Sequence, residues 1–299
     1  MRPRVAITLG DPRGIGPEVV AAALTHPPAA ARYVAIGAEE QVGALECEKI
    51  AVGSLGGTEP TSLSPEAGGR IAALAVLKAT ALALAGEVDA IVTGPAEKKA
   101  LHAAGYRYPG HTEWLAELAG GVDVAMMLVA GALRVVLVTT HIPLREVPAA
   151  VTIERVLTTG SITRSALESW WGIEDPRLAV CALNPHAGEG GLFGDEDGRV
   201  LEPAARELDA AGPLPADTVF VRALRGEFDA VLTPSHDVGM TAVKVAGFGT
   251  GVNVTLGLPF VRTAPDHGTA LDIAGRGLAD PGSMREAVAL AVRLAGGRG

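Results

Sequence analysis

The chain has 299 residues, 48% hydrophobic and 20% charged, which suffices for one large α/β domain or two lobes of about 150 residues each. Its formal net charge of -9 at pH 7 argues against nucleic acid as a general partner, because a phosphate backbone requires a basic surface. The two cysteines, Cys47 and Cys181, form no CxxC motif, so they indicate neither a disulfide framework nor a zinc knuckle and favour the reducing cytoplasm.

No segment is predicted to enter a membrane. The most apolar predicted helix, residues 71–85, is interrupted by Lys78 and Thr80, whereas a membrane span takes about 20 mostly apolar residues. The apolar residues 5–7 that follow Arg2 and Arg4 are too few for the hydrophobic part of a signal peptide. We therefore expect a cytoplasmic protein without a membrane partner.

Strand-like and helix-like runs alternate along the chain. A strand at residues 5–9 leads into a glycine-rich turn at 10–16, and Pro17 and Glu18 suit the start of the first helix. A second helix is predicted to start at 64–66 and to stop at Gly86. Further strands are predicted at 90–93, 125–129, 134–138, 178–183, 229–232 and 252–256, and further helices at 112–119, 153–170, 200–211 and 283–294. Such alternation is typical of a layered α/β fold with mostly parallel strands.

Three of the seven histidines directly follow predicted strands: His141, His186 and His236. Open α/β sheets place their ligand sites beyond the carboxyl ends of the strands. Three imidazoles can hold a divalent ion, zinc first, with cobalt, manganese and magnesium as alternatives. The other interpretation is that each histidine is structural and bonded to the backbone, and spacing alone does not decide between the two.

Two segments indicate an anion. His111 and Thr112 open a predicted helix, with Thr112 as its N-cap, and a helix N-terminus offers free N–H groups to a phosphate. An ordinary capped helix is the alternative. Lys244 is the only charged residue between Asp237 and Arg262, so it either extends from an apolar surface into water or awaits an anion. Asn253 and Arg262 follow with amide and guanidinium donors.

A nicotinamide site is not predicted from the residues themselves. No GxGxxG follows the first strand with an acidic residue about 20 positions further on, so the usual Rossmann fingerprint is missing. The residues alone therefore predict a metal site, an anion pocket and an α/β scaffold.

The motifs together resemble the 4-hydroxythreonine-4-phosphate dehydrogenase family of vitamin B6 biosynthesis. The resemblance covers nearly the whole chain, in the order Thr8-Leu9-Gly10-Asp11-Pro12, Thr93-Gly94-Pro95, Gly110-His111-Thr112-Glu113, Thr140-His141-Ile142-Pro143-Leu144-Arg145, Asn184-Pro185-His186-Ala187-Gly188-Glu189, Gly212-Pro213-Leu214-Pro215-Ala216-Asp217-Thr218, His236-Asp237, Gly251-Val252-Asn253-Val254-Thr255-Leu256-Gly257-Leu258-Pro259 and Asp266-His267-Gly268-Thr269-Ala270-Leu271-Asp272-Ile273-Ala274-Gly275. The last segment is also similar to the nucleotide-binding stretch of isocitrate and isopropylmalate dehydrogenases.

The resemblance implies a fold and a set of partners. The fold is a two-lobed layered α/β structure of the isocitrate/isopropylmalate dehydrogenase type, with the active site in the cleft between lobes. Residues 1–125 with 250–299 form the nucleotide-binding lobe, and residues 126–249 form the metal-binding and dimerisation lobe. The cofactor is NAD or NADP together with the divalent metal, and the active site is shared within a homodimer.

The resemblance also assigns roles to residues. The metal ligands are His141, His186 and His236. The substrate contacts are His111, Thr112, Lys244, Asn253 and Arg262, with Lys244 and Asp217 as the catalytic candidates. The nucleotide contacts are Gly268, Thr269 and Asp272.

The implied reaction is the oxidation of 4-hydroxythreonine 4-phosphate to a β-keto acid that decarboxylates to 3-amino-2-oxopropyl phosphate. An alternative is a related dehydrogenase of D-threonate or D-erythronate 4-phosphate, which would lack a partner for a substrate amine. Two more distant alternatives are a non-redox metal hydrolase of a phosphorylated metabolite and a protein that binds such a metabolite without catalysis.

Overall fold

The computed structural model describes residues 2–297 and shows a layered α/β fold. In chain order, the strands and α-helices are β1 (Arg4–Thr8), α1 (Gly16–Leu24), β2 (Arg32–Ala38), α2 (Glu39–Gly43), β3 (Glu48–Gly53), α3 (Pro65–Leu84), β4 (Ala90–Thr93), α4 (Lys98–Ala103), α5 (His111–Leu118), β5 (Ala125–Ala130), β6 (Leu133–Leu137), α6 (Val147–Ala150), α7 (Ile153–Trp171), β7 (Leu178–Cys181), α8 (Glu202–Glu207), β8 (Ala211–Leu214), α9 (Ala216–Leu224), β9 (Ala230–Thr233), α10 (His236–Ala246), β10 (Val252–Leu256), β11 (Val261–Pro265) and α11 (Gly282–Gly296).

The chain divides into two compact units. Unit 1 comprises Met1–Val122 and Leu258–Gly299, and unit 2 comprises Asp123–Gly257. The predicted lobes, 1–125 with 250–299 and 126–249, assign β10 to the first lobe, whereas the structure includes it in unit 2 because β10 pairs with β5. The functional roles of the two lobes stay predictions.

Unit 1 is built on parallel strands in the order β3-β2-β1-β4-β11. The central residues of β1, β2 and β4 are apolar and fully buried, as expected for strands covered by helices on both faces. Strand β3 is partly exposed, and β11 carries the buried polar residues Arg262 and Thr263. Helix α3 packs against β1, β2, β3 and β4, and α11 packs against β4, β11 and α1.

Helix α3 begins within the predicted start at 64–66 and ends at Leu84, just before the predicted stop at Gly86. Ser64 caps it by accepting a hydrogen bond from the backbone N–H of Ala67 at 3.1 Å, and Pro65 occupies its first turn. Within residues 2–297, α3 is the one helix that is long and apolar enough to cross a membrane by length and composition. Its most apolar window is 61% buried inside the structure, as in a core helix.

Unit 2 combines antiparallel and parallel strands in the order β10-β5-β6-β9-β7-β8. The β10, β5 and β6 pairings are antiparallel, and the β6, β9, β7 and β8 pairings are parallel. The expectation of mostly parallel strands therefore holds for unit 1 and fails at one side of unit 2. There, the two residues between β5 and β6 close a hairpin, and Gly131 has the positive φ of 57° that such a turn requires.

The helix predicted at 153–170 corresponds to α7. Thr152 accepts a hydrogen bond from the backbone N–H of Arg155 at 3.2 Å, and Gly172 ends the helix in the left-handed conformation with φ 67°. The helix predicted at 200–211 ends earlier, at Glu207, because Asp209 adopts a positive φ of 50° and β8 follows.

A close backbone contact joins α3 to α4 through Gly69. A Cβ atom built on Gly69 would lie 2.0 Å from the carbonyl oxygen of Ala100, well inside van der Waals contact. Only a residue without a side chain allows the two helices this separation.

We expect Gly69→Ala to lower the free energy of unfolding by at least about 1–3 kcal/mol, the usual cost of overpacking, because the obstacle is backbone. Gly296→Ala is the control, since its Cβ would meet nothing within 4 Å at the end of another helix of unit 1. Urea unfolding followed by circular dichroism measures both. Equal stability of the two variants would contradict the close contact.

Candidate active site

Two of the three predicted metal-ligand histidines lie side by side in unit 2. Strands β6 and β9 run parallel and in register, so the loops after their carboxyl ends meet. The ring centroids of His141 and His236 are 5.3 Å apart, with an angle of 48° between the ring planes. The hydroxyl of Thr139 donates to the carbonyl oxygen of Pro234 at 2.6 Å and ties the two loops together.

The His236 ring is oriented by a neighbouring carboxylate. Its Nδ1 lies 2.7 Å from Oδ1 of Asp237. An Nδ1–H donated to this carboxylate leaves the Nε2 lone pair available, which is the arrangement of most metal-bound histidines. A cavity of about 160 Å³ is lined by both histidines and by Thr140 and Ser235. The pair therefore suits two ligand positions of a divalent ion.

The third predicted ligand, His186, does not join this pair. It is exposed on the turn Pro185–Gly191, which follows β7. Within residues 2–297 of one chain, no three His, Cys, Asp or Glu side chains form a group able to hold a metal ion.

In unit 1, a buried arginine lies beside the start of a helix. Arg262, on β11, is 4% exposed, and its Nη2 donates to Oγ1 of Thr93 at 2.5 Å. Burial lowers the pKa of Arg262 to about 10, and the carboxylate of Glu113 acts in the opposite direction. The guanidinium is thus charged at pH 7 in a largely dehydrated place.

His111 is the first residue of α5 and lies within the electrostatic reach of Arg262. Burial of the ring, together with the positive charge of Arg262, lowers the pKa of His111 to about 3. The Nε2 atom of His111 is buried and has no hydrogen-bond partner among residues 2–297. The neutral imidazole of His111, whose Nε2 atom has no partner among residues 2–297, therefore lies near the positive charge of Arg262.

Helix α5 begins one residue before the predicted start. Its N-cap is Gly110 in an extended conformation without a side-chain cap, so the prediction of Thr112 as N-cap is wrong. Thr112 is buried in the first turn instead. The free N–H groups and positive dipole of this helix start add to Arg262 and His111, and the three together favour an anion.

Two other predicted substrate contacts, Lys244 and Asn253, belong to unit 2. Lys244, in the last turn of α10, is half-buried, and its Nζ lies 5.7 Å from the ring centroid of Phe248. The apolar run around it does not bury it, because Val245 and Phe248 are 83% and 85% exposed. Asn253, on β10, has a buried Oδ1 without a hydrogen-bond partner among residues 2–297.

Asp217, a predicted catalytic residue, is exposed in the first turn of α9. It lines an open groove of about 470 Å³ together with Phe220, Asp237 and Val238. Asp237 also lines the cavity beside His141 and His236.

The predicted nucleotide contacts lie in unit 1, on the segment between β11 and α11. Thr269 accepts a hydrogen bond from the backbone N–H of Ile15 at 2.9 Å, while Gly268 and Asp272 are exposed. A Cβ atom on Gly14 would lie 2.7 Å from the carbonyl oxygen of Thr269, so this glycine permits the contact. The glycine-rich turn at 10–16 thus supports the segment that carries all three residues.

A buried ion cluster in the same turn was not predicted from sequence. Arg13, 8% exposed, donates to the fully buried carboxylate of Asp11 at 2.7 and 3.0 Å and to Oε2 of Glu97 at 2.6 Å. The hydrogen bond to Asp11 is the main cause that raises the pKa of Arg13. A charged residue within a glycine-rich turn was the available signal, but its partner Glu97 is distant in sequence.

Known proteins match almost the entire chain. The family described as "Pyridoxal phosphate biosynthetic protein PdxA" matches residues 7–291. The chain belongs to the PdxA family. The predicted family and the layered α/β fold are confirmed, and this PdxA member is an oxidoreductase.

Individual relatives of this PdxA chain carry two activities in their names. A 4-hydroxythreonine-4-phosphate dehydrogenase of Geobacter metallireducens is 44% identical, over 98% of this chain and 96% of that protein. A D-threonate 4-phosphate dehydrogenase of Salmonella typhimurium is 42% identical, over 97% of this chain and 98% of that protein. The crystal structure of 4-hydroxythreonine-4-phosphate dehydrogenase from Klebsiella pneumoniae is 38% identical, with a TM-score of 0.89 over 99% of this chain and 98% of that one.

The burial of His111 predicts a pH-dependent stability. Its pKa is about 3 in the folded protein against 6.5 for an ordinary histidine, so unfolding takes up a proton between these values. Relative to His111→Gln, the wild-type protein should lose up to about 1.4 kcal/mol of unfolding free energy per pH unit as the pH falls from 6 to 4.

Urea unfolding in a buffer free of phosphate measures this difference at each pH. His26→Gln is the control, because it removes an exposed imidazole from the same unit. A difference between wild type and His111→Gln that stays constant over this pH range would show that His111 is not buried as described.

Proposed function

We propose that this PdxA member oxidises 4-hydroxythreonine 4-phosphate with NAD or NADP, yielding a β-keto acid that decarboxylates to 3-amino-2-oxopropyl phosphate in cytoplasmic pyridoxal phosphate biosynthesis. The family match and the 44% identical relative of that name support the reaction. The single observation that carries the substrate class is the buried Arg262 with His111 at the start of α5, because such a site suits a phosphate.

The substrate is held at its two anionic ends. Arg262, His111 and Thr112 bind the phosphate through the guanidinium, the imidazole and the first-turn N–H groups. Lys244 and Asn253 bind the carboxylate with an ammonium and an amide. Fixing both ends leaves the carbon that bears the hydroxyl in one orientation, which lowers the entropic part of the barrier.

The oxidation removes a hydride from the carbinol carbon and a proton from its hydroxyl. A divalent metal, when bound, supplies Lewis-acid stabilisation of the negative charge on that oxygen, and a nicotinamide dinucleotide supplies the hydride acceptor. Asp217 is the group proposed to accept the proton, because Lys244 as an ammonium has no lone pair for it. The positive charge of Lys244 then stabilises the negative charge that develops when carbon dioxide leaves the β-keto acid.

The nicotinamide dinucleotide is proposed to contact Gly268, Thr269 and Asp272. The support is local: Thr269 is fixed by the backbone N–H of Ile15, and the exposed neighbours Gly268 and Asp272 offer backbone and carboxylate groups. A carboxylate can accept hydrogen bonds from ribose hydroxyls, as in other dinucleotide sites.

The divalent metal, with zinc as the first choice and cobalt, manganese or magnesium as alternatives, is proposed to bind His141 and His236 of one copy and His186 of a second copy in a homodimer. The neighbouring imidazole rings fit two ligand positions. The segment that carries His186 also exposes Leu192 and Phe193, 73% and 46% respectively, as expected of a surface that another copy covers.

A second candidate substrate is D-threonate 4-phosphate. The 42% identity to a dehydrogenase of that name is nearly as high as the 44% identity to the 4-hydroxythreonine enzyme. D-Erythronate 4-phosphate would present the same phosphate and carboxylate ends. The hydrolase and the non-catalytic alternatives are set aside, because the family is one of oxidoreductases.

A direct assay distinguishes the substrates. We expect reduced nicotinamide, followed by its near-ultraviolet absorbance, to form with 4-hydroxythreonine 4-phosphate. Its formation should stop when a chelator is added. The value of kcat/KM should exceed that for D-threonate 4-phosphate by at least about tenfold, equivalent to about 1.4 kcal/mol. A reversed preference would establish the second candidate, and inertness toward both acids would refute the proposal.

Subunit mixing tests the shared metal site. His186→Ala and His236→Ala should each be inactive, but their mixed dimer contains one site with all three histidines. An equimolar mixture after reversible dissociation should therefore recover about one quarter of wild-type activity. The control pair His141→Ala and His236→Ala should recover none, because both residues lie in the same chain's half of the site. Recovery by both pairs, or by neither, would contradict the assignment.

A further inference from the structure

The turn that follows β7 has an unusual backbone. His186, Ala187 and Glu189 have φ values of 52°, 55° and 44°, with left-handed ψ values of 32°, 42° and 56°. The glycines at 188, 190 and 191 also have positive φ. The segment is a short left-handed turn, and three of its residues bear side chains.

This conformation is costly for L-amino acids. A left-handed residue with a Cβ atom is disfavoured by about 1–2 kcal/mol, so three of them oppose the turn substantially. Such a conformation persists only where the surrounding structure imposes it, and it is found most often at functional sites. The turn must therefore be held by contacts at its ends.

Asp197 holds the entry to the turn. Its side chain is 1% exposed, and its two carboxylate oxygens accept the backbone N–H groups of Leu183 and Asn184 at 2.8 and 3.0 Å. It also accepts from Nδ2 of Asn184 at 2.9 Å. These bonds replace strand pairing, so β7 ends at Cys181 instead of continuing to 183 as its apolar pattern predicts.

The exit of the turn lies against the same carboxylate. A Cβ atom on Gly188 would lie 2.9 Å from the carbonyl oxygen of Gly194 and 3.5 Å from Oδ2 of Asp197. The backbone N–H of Phe193 donates to the carbonyl oxygen of Gly188 at 3.2 Å. Asp197 is itself anchored, because Val200 and Leu201 of the same helical turn are buried. Both ends of the left-handed turn therefore lie against the buried side chain of Asp197.

We propose that Asp197 is a positioning residue, which fixes the left-handed turn so that the exposed His186 is presented as a metal ligand. This inference rests on the proposed function, which makes His186 a ligand. The Asp197 carboxylate acts through the backbone, because it accepts hydrogen bonds from the N–H groups of Leu183 and Asn184, the two residues just before Pro185. Removing a group that orients a metal ligand typically lowers the affinity for the metal about 10–100-fold.

The test is titration of the metal-free, full-length protein with Co²⁺, followed by the visible absorbance of the bound ion. Asp197→Asn keeps the size of the side chain but loses one acceptor oxygen. We expect its Co²⁺ affinity to fall about 10–100-fold and the intensity of the absorption bands to change. Asp229→Asn is the matched control, because Asp229 of the same unit also accepts a backbone N–H, that of Arg177 at 2.8 Å, and precedes β9. Its Co²⁺ affinity should stay near the wild-type value.

Ala187→Gly provides a second variant in case Asp197→Asn does not fold. It removes the Cβ atom from a left-handed residue and should leave the protein at least as stable in thermal unfolding. It also frees the turn to adopt other conformations, so Co²⁺ affinity should fall although stability does not. A purely structural role for the turn predicts higher stability with unchanged affinity, and that result would overturn the inference.

His186→Ala distinguishes failure of the proposed metal site from failure of the positioning role of Asp197. If it binds Co²⁺ as tightly as the wild type, or if the wild type binds none, then His186 is not a ligand and the metal part of the proposed function fails. If His186→Ala is impaired but Asp197→Asn and Ala187→Gly bind like the wild type, only the positioning role of Asp197 fails.

Discussion

The side-by-side pairing of buried parallel strands is the constraint on which the candidate site depends. Parallel strands in register end at the same edge, so the loops that follow them are brought together whatever their sequences. In unit 2 this pairing places His141 beside His236 after β6 and β9. In unit 1 it joins the loops after β1 and β4, where the backbone N–H of Asp11 donates to the carbonyl oxygen of Pro95 at 2.9 Å. The apolar strand residues, most of them fully buried, set this register.

Much of this arrangement could be predicted from sequence, because strand ends have a local signature. An apolar run followed by a polar residue predicts both the strand and the edge at which that residue lies, and His141 and His236 fit this pattern. Four strands escaped the pattern. β11 carries the buried Arg262 within an apolar run, and β8 contains a Gly-Pro pair that is typical of a turn. β3 is the outermost strand of the unit 1 order, where polar residues such as Glu48 and Lys49 are tolerated. β2 is an apolar run, buried over residues 34–38, that the strand predictions did not include.

The features that sequence could not supply are those fixed by distant partners. The Arg13 cluster depends on Glu97, which pattern alone does not connect to the first glycine-rich turn. The burial of Lys244 was an open alternative, and the exposed Phe248 beside it shows that an apolar run need not be an interior one. The left-handed conformation of His186 depends on Asp197, and the glycines at 188, 190 and 191 were its only local sign.

The dehydrated position of His111 links occupancy of the phosphate site to protons. With a pKa of about 3 the imidazole is neutral at pH 7, whereas a phosphate dianion beside it would favour the protonated ring. Capture of a phosphorylated ligand would then draw a proton from the buffer at any pH between the pKa of the ring without ligand and its higher pKa with ligand. The heat of binding would vary with the ionisation enthalpy of that buffer, even though every contact between protein and ligand stayed the same. Through this one buried ring, the apparent affinity of the site for a phosphorylated ligand would depend on the pH of the solution as well as on the contacts with the protein.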